Sequence, residues 1–435
     1  MKIRDFLEID YILLLAALIL ITFGIIFIYS AGASTGGIVF SNEYRRQIIW
    51  ACAGLILALV LAMFNYRRLY DFSLYLYLGT LVLLIYLIIY GRLFHATRWL
   101  RIGPVGVQIS EFAKLSTILF LAWFLYNTRR EQNSLIRFVI SCIIVFVPMF
   151  LVLIQPDLGT SLVFIPILLG MGFFAGISLR YIFFLVLTFA LSATFLFLPL
   201  WQAAIMNNFA PALMMLTNAR FIIAGCLAFS AIAAIALFGF LRYHKPHFYW
   251  ICYGAGIIIL SLGISFVAQK MLRGYQIMRL IIFMNPYIDP RGAGWHIIQS
   301  ITAIGSGGIF GKGFLQGTQS QHRFLPEQST DFIFSILSEE WGFAGGISVF
   351  ILFLIINLRL IRIMNLTNDS FGSYIVAGLV SMYSFHFFVN VGMTMGIMPV
   401  TGIPLMFVSY GGSALITAML GIGLALSVHV RRFQR

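Results

Sequence analysis

Residues 11–31 read YILLLAALILITFGIIFIYSA, an unbroken run without a single charge. A bilayer's hydrocarbon core takes about 20 apolar residues of helix to cross, so this stretch alone can span one. Working outward by length and polar punctuation, further spans are expected at about 46–63, 72–91, 112–127, 136–154, 161–177, 181–201, 219–241, 248–269, 332–356, 372–393 and 404–428. The chain therefore reads as an all-α polytopic membrane protein of about 12 transmembrane helices, a single membrane domain over residues 1–435. Composition agrees. With 61% hydrophobic and 10% charged side chains, the apolar surface exceeds what one soluble core can hide. The first apolar run exceeds a typical leader's, and Asp5, Glu8 and Asp10 spoil a basic n-region, so a retained span is expected. Cys52, Cys142, Cys226 and Cys252 all fall within apolar spans and read as packing residues, not as a disulfide framework. The net charge of +14 invites a nucleic-acid reading, but no soluble basic domain or aromatic-basic platform exists, and no nucleic-acid partner is expected.

The placement of Lys and Arg orients the chain. With the N-terminus cytoplasmic, 15 of the 28 basic residues fall on the inner side, among them Arg67, Arg68, Arg129, Arg130, Arg359 and Arg362. Of the 13 on the outer side, ten cluster in two segments, Arg92 to Lys114 and Lys270 to Arg323. Those two exceptions call for a reason other than topology, and a negatively charged ligand at the outer face is the simplest one.

The second segment belongs to a long polar loop, about 270–331, too long for a mere connector. Its glycines, Gly292 to Gly317, permit tight turns and bring backbone N–H groups close to an anion. Trp295, Ile297, Ile298, Ile301 and Ile304 recur at helical spacing, which predicts a short amphipathic helix on the outer interface, in contact with membrane lipid. Asp331 ends the loop, before the apolar Phe332-Ile333-Phe334. It can cap the following helix, or serve as a partly desolvated carboxylate that accepts a proton from a substrate hydroxyl. Ser335, Ser338, Glu339 and Glu340 follow, and on one continuous helix a polar stripe runs inward from Asp331. Carboxylates at that depth face a cavity or a partner. In the first segment, Glu111 and Lys114 lie three apart and can pair locally. Alternatively Arg98 and Lys114, with Arg273, Arg279 and Lys312, form a cationic wall for a diphosphate. Asp157, in QPDLGT, marks a break at the outer face, and His386, Asn390 and Thr394 recur every four residues as interhelical hydrogen-bonding groups. There is no nucleotide loop, no His-x-x-x-His pair and no Asp-x-Asp. No metal site is specified, although a divalent cation could assist at a diphosphate.

Four long motifs stand in order along the chain: TRWLRIGPVGVQISEFAKL (97–115), QPDLGTSLV (155–163), the stretch from GAGWHIIQSITAIGSGG to EQSTDFIF (292–334) followed by SEEWGF, and FHFFVNVGMTMGIMPVTGIPLMFVSYGGSALI (385–416). Together they resemble the signature of the SEDS proteins (shape, elongation, division and sporulation), with the elongation branch closer than the division branch. The resemblance implies a peptidoglycan glycosyltransferase that polymerises lipid II on the outer face of the bacterial inner membrane, with a class B penicillin-binding protein as partner. It makes Asp331 the essential carboxylate and matches Arg98, Glu111 and Lys114 to the family's outer charged positions; Glu327, Glu339, Glu340 and Asp157 count as supporting carboxylates. Ser329 stands where a His is commoner. The family usually has ten spans, so the two extra helices, at about 202–268, read as an inserted accessory pair that preserves sidedness. The mechanism consistent with both readings is an inverting displacement that expels undecaprenyl diphosphate. Rival readings are a lipid II transporter, which intramembrane carboxylates and broken helices also suit, and a noncatalytic scaffold of the cell-wall machinery.

Overall fold

The computed structural model describes residues 9–33, 41–94, 98–102, 105–131, 134–205, 216–272, 274–292, 294–321 and 327–433. They form α1 (Tyr11–Gly32), α2 (Glu43–Met63), α3 (Arg68–Phe94), a hairpin of β1 (Trp99–Ile102) and β2 (Val105–Gln108), α4 (Ile109–Asn127), α5 (Ser134–Ile154), α6 (Leu158–Leu162) and α7 (Phe164–Phe174). There follow α8 (Leu179–Ile205), α9 (Ala219–Tyr243), α10 (Pro246–Met271), α11 (Gly274–Met284), α12 (Trp295–Ser306), α13 (Thr318–Gln321), α14 (Ile333–Leu366), α15 (Ser370–Thr394) and α16 (Gly412–Val430). Among the described residues eleven helices are long and apolar enough to cross a membrane. The twelfth expected span is the broken pair α6 and α7, which Asp157 starts by accepting a hydrogen bond from Thr160 N at 3.2 Å. The helical solution follows from the solvent, since hydrocarbon offers no partner for a backbone N–H or C=O. The protein is a multi-pass membrane protein.

Two units can be distinguished. The first comprises residues 1–177 and 296–435. In it α2 packs on α16, α1 on α14, and α15 on α4, α7 and α14. Lipid tails are as apolar as Leu, so helices associate where small residues let backbones approach. Gly423 abuts the Ala58 backbone, Gly24 the Val408 carbonyl and Gly378 the side chains of Ile118 and Met171. The second unit, residues 178–295, is an antiparallel set in which α10 packs on both α8 and α9. Arg242 to His247 holds the turn between α9 and α10, with His244 in the left-handed region.

One helix departs from the sequence expectation. A polar stripe on one continuous helix from Asp331 through Gly342 requires unbroken geometry, but α14 begins only at Ile333 and breaks at Gly342 (φ 65°, ψ −157°). The groups freed by the break are taken up by the preceding loop: Phe343 N donates to Gly308 O (2.8 Å), Ala344 N to Ile309 O (3.0 Å), Lys312 N to Glu339 O (3.0 Å) and Gly313 N to Glu340 O (3.0 Å). A Cβ on Gly307, Gly311 or Gly342 would run into backbone at this junction. Gly307 and Gly311 of the loop thus allow close backbone contact with α14.

Gly342→Ala must adopt a conformation essentially reserved for glycine, at a cost of about 1–3 kcal/mol, and must also push Gly311 away. Thermal unfolding in detergent is expected to show a lowered midpoint. The control Gly254→Ala, at a position in α10 where an added Cβ meets nothing, is expected to be neutral or slightly stabilising.

Candidate active site

Asp331 does not cap α14. The cap position is Phe332, and no side chain caps it. Asp331 instead ends a tight turn in which the Glu327 carbonyl accepts from the N–H groups of Thr330 (3.3 Å) and Asp331 (3.1 Å), while Glu327 Oε2 meets Thr330 Oγ1 at 3.3 Å. Glu327 itself is exposed, so its described role is to shape the turn. The turn is tied down from two sides: Tyr410 N donates to Ser329 O (2.9 Å), and Asn390 Nδ2 donates to both Asp331 O (3.0 Å) and Ile403 O (2.8 Å).

The irregular strap of residues 401–404, between α15 and α16, is the piece that gathers the motifs. At Gly402 (φ 74°) an added Cβ would sit 3.4 Å from Asp331 Oδ2, so the carboxylate lies directly over the strap. Gly159 of the QPDLGT motif abuts Thr401 O and the Ile403 side chain. Asp157, two residues earlier, accepts from Gln108 Nε2 at 2.8 Å. Arg98 donates to the carbonyls of Gln155 (3.1 Å) and Pro156. Pro404 O receives His386 Nδ1 at 3.1 Å, and His386 Nε2 meets Lys114 Nζ at 3.0 Å. Asp331, Gly159, His386 and Asn390 thus touch the strap directly, while Glu111 and Lys114 reach it through His386, and Arg98 and Asp157 belong to the segment that carries Gly159 against it.

Lys114 is not on an exposed cationic wall. It is 0% exposed, and its ammonium donates to both Glu111 oxygens (2.9 and 2.8 Å) and to His386. Three protons meet three acceptors, which fixes the His386 ring as acceptor at Nε2 and donor at Nδ1. The local pairing of Glu111 with Lys114 is thus correct, with a histidine added that links the pair to the strap.

Lys312, Glu339 and Glu340 form a separate cluster beside the break in α14. Glu339, fully buried, accepts from Lys312 Nζ (2.9 Å), Thr318 Oγ1 (3.0 Å), Gln319 N (3.0 Å) and Ser320 N (3.2 Å). Glu340 accepts from Ser30 Oγ and Ser320 Oγ, the latter at 3.4 Å. These carboxylates fasten the loop before α14 to α14 and α1. Arg279 lies on α11 in the second unit, and Arg273 lies outside the described residues. Helix α12 forms where the isoleucine spacing predicts it, with Ile297 buried and Ile301 exposed, and Ser300 Oγ meets Ser335 Oγ (2.6 Å) and donates to Thr394 O (2.6 Å). Among the described residues no three His, Cys, Asp or Glu side chains come together as metal ligands.

A family profile described as cell cycle protein, covering FtsW, RodA and SpoVE, matches residues 10–215 and 213–434. The chain belongs to this family. It is the SEDS family that the motifs resemble. The chain is 47% identical to the peptidoglycan glycosyltransferase RodA of Treponema pallidum (strain Nichols) over 433 residues, 99% of this chain and 100% of that one. It is 32% identical to the peptidoglycan glycosyltransferase MrdB of Escherichia coli (strain K12), covering 98% and 95% of the two chains. A chain in the structure of a peptidoglycan synthase complex, which coordinates polymerization and crosslinking, superposes with a TM-score of 0.67 at 24% identity over 98% and 99% of the two chains. That likeness shows the shared fold.

Of the three residues read as interhelical bonding groups, His386 is one, reaching Lys114 on α4, whereas Asn390 bonds the carbonyls of the Asp331 turn and of Ile403, outside any helix, and the Thr394 hydroxyl bonds Val391 O within its own helix; partners that are backbone carbonyls leave no sequence signal. Replacing Lys114 with Met strands a buried Glu111 carboxylate, which costs about 3–5 kcal/mol. A large fall in thermal stability is expected for Lys114→Met. The double variant Glu111→Gln/Lys114→Met is expected to recover much of it, because no charge is then left unpaired.

Proposed function

We propose that this chain is a peptidoglycan glycosyltransferase that polymerises lipid II in the bacterial inner membrane, with Asp331 as its general base. The observation that carries the reading is the seating of the Asp331 carboxylate over Gly402, at the membrane-boundary end of α14, on a turn held by Asn390 and Tyr410. The names of the relatives at 47% and 32% identity support the reaction and the substrate class. Asp331 takes the proton of the acceptor sugar's 4-hydroxyl as that oxygen attacks the anomeric carbon of the donor. The bond to the undecaprenyl diphosphate oxygen breaks, and the configuration inverts. Arg98 and Lys312, each with part of its side chain accessible, are cations of the first unit that meet the developing charge. Arg273 and Arg279 remain candidates for the diphosphate by their chemistry. Glu111, Lys114 and His386 act through Pro404 as positioning residues. The partner is a class B penicillin-binding protein, a transpeptidase; the resemblance of the fold to a chain of a peptidoglycan synthase complex is consistent with it. Both termini lie in the cytoplasm and the catalytic loop lies outside, as the Lys and Arg placement requires, and residues 202–268 are an accessory helix pair.

Asp331→Asn keeps the size of the side chain and costs no helix cap, since the cap position is Phe332. Polymerisation of purified lipid II by the variant with its transpeptidase partner is expected to fall by about 10²-fold or more, as for loss of a general base, with insertion and partner binding intact. A transporter or a scaffold has no need of a base at this atom. Near-normal glycan synthesis by the folded variant would falsify the catalytic assignment.

The topology has its own test. A cysteine substituted for His244, in the turn between α9 and α10, is expected to resist a membrane-impermeant thiol reagent in intact cells. Ready labelling from outside overturns the sidedness of everything after α8.

A further inference from the structure

At the end of the first unit opposite Asp331 lies a cavity of about 590 Å³, whose lining includes Arg67, Tyr70, Tyr126, Arg129, Asp369 and Phe371. Its height in the membrane follows from the helices that frame it. Arg68 begins α3, Asn127 ends α4 and Ser370 begins α15, and all three helices are membrane spans. The cavity therefore sits at the level where hydrocarbon gives way to headgroups.

Its chemistry is that of an anion site with an aromatic wall. Tyr70 packs against Tyr126 (5.8 Å between centroids) and Phe371 (5.5 Å), in the amphipathic ring arrangement favoured at a membrane interface. The Arg129 guanidinium lies 4.9 Å over the Tyr126 ring and meets Ser370 Oγ only at a long 3.5 Å. Other arginines at this end of the bundle are bonded within the protein: Arg359 grips Asp10 with Nε and Nη2, Arg431 donates to the carbonyls of Ala62 and Met63, and Arg137 to that of Leu125. The single carboxylate among the described lining residues is engaged. Asp369 Oδ1 accepts from Phe371 N (3.2 Å) and Oδ2 from Tyr66 OH (2.9 Å), while Arg67 Nε stands 3.9 Å away. Burial and the charge of Asp369 raise the Tyr66 pKa and keep that hydroxyl a donor. Among the described lining residues two guanidiniums stand against one engaged carboxylate, an excess of positive charge. On α3, the row Leu74, Leu78 and Val82 runs from Tyr70 toward the membrane interior, and all three are exposed, a surface for acyl chains that no soluble ligand needs.

We propose that this cavity binds the phosphate headgroup of an anionic glycerophospholipid, with Arg67 and Arg129 on the phosphate and the acyl chains along α3. A free anion explains the arginines but not the continuous apolar flank, and a soluble acidic peptide explains neither the flank nor the depth.

The test uses the full chain, purified and stripped of lipid, with bound lipid measured by native mass spectrometry. The probes are short-chain phosphatidylglycerol, short-chain phosphatidylcholine, inorganic phosphate and a soluble acidic peptide. Phosphatidylglycerol is expected to bind in preference to phosphatidylcholine. Arg67→Gln and Arg129→Gln are each expected to weaken it about fivefold, the worth of one basic residue at an anionic surface, while Arg362→Gln, an exposed residue outside the cavity, leaves it unchanged. Asp369→Asn, which keeps the helix cap and removes the opposing charge, is expected to tighten it. Because Arg67 also meets Asp369, Arg129→Gln alone decides the matter if Arg67→Gln does not fold. Equal binding of the two lipids, or an Arg129→Gln protein that binds as the parent does, overturns the proposal. So does displacement of phosphatidylglycerol by inorganic phosphate or by the peptide at equal concentration, since either marks a site for a soluble ligand.

Discussion

The structure depends on a helix break that is repaired by another segment. In a bilayer an unpaired backbone N–H or C=O is too costly to leave, and α14 breaks its own ladder at Gly342. Residues 308–313 supply the missing partners by four backbone hydrogen bonds, and Glu339 and Glu340 add side-chain bonds to α13 and α1 from the turn just before the break. The loop is thus fixed to the helix whose start presents Asp331.

From that junction the site is assembled by backbone as much as by side chains. The strap at 401–404 is met through a carbonyl or a bare glycine: by Asn390 at Ile403 O, by His386 at Pro404 O, by the QPDLGT motif through Gly159 against Thr401, and by Asp331 over Gly402. A strap without its own helical hydrogen bonds has carbonyls to offer, which is why an irregular segment sits among the spans. The same strap connects the buried Glu111, Lys114 and His386 set to the turn that carries Asp331. A change in that set can therefore reach the carboxylate without touching a substrate.

Charge is divided by function along the bundle. Near Asp331 the cations are largely engaged: Lys114 is saturated by three acceptors, Lys312 holds Glu339, and Arg98 braces the turn at Gln155 and Pro156. At the opposite end some arginines lock helix ends together, while Arg67 and Arg129 face a cavity. Arginines of one end of the bundle thus serve packing in some positions and line a cavity in others.

Span positions were legible in the sequence because bilayer thickness imposes a length on apolar runs, and the helix α12 because its isoleucines keep a 3.6-residue period. Asp331 was legible as the candidate carboxylate from its place between a polar loop and an apolar run, and the family from four ordered motifs. The burial of Lys114 was not, because a lysine reads the same in a one-letter string whether water or a histidine takes its third proton. Nor was the loss of the capping role of Asp331, since one residue's shift in a helix start depends on which turn the neighbouring Asn390 and Tyr410 hold in place. The sequence by itself determined what crosses the membrane and which groups can do chemistry. Which of them meet was decided only in three dimensions, through backbone carbonyls and glycines whose partners lie up to several hundred residues away.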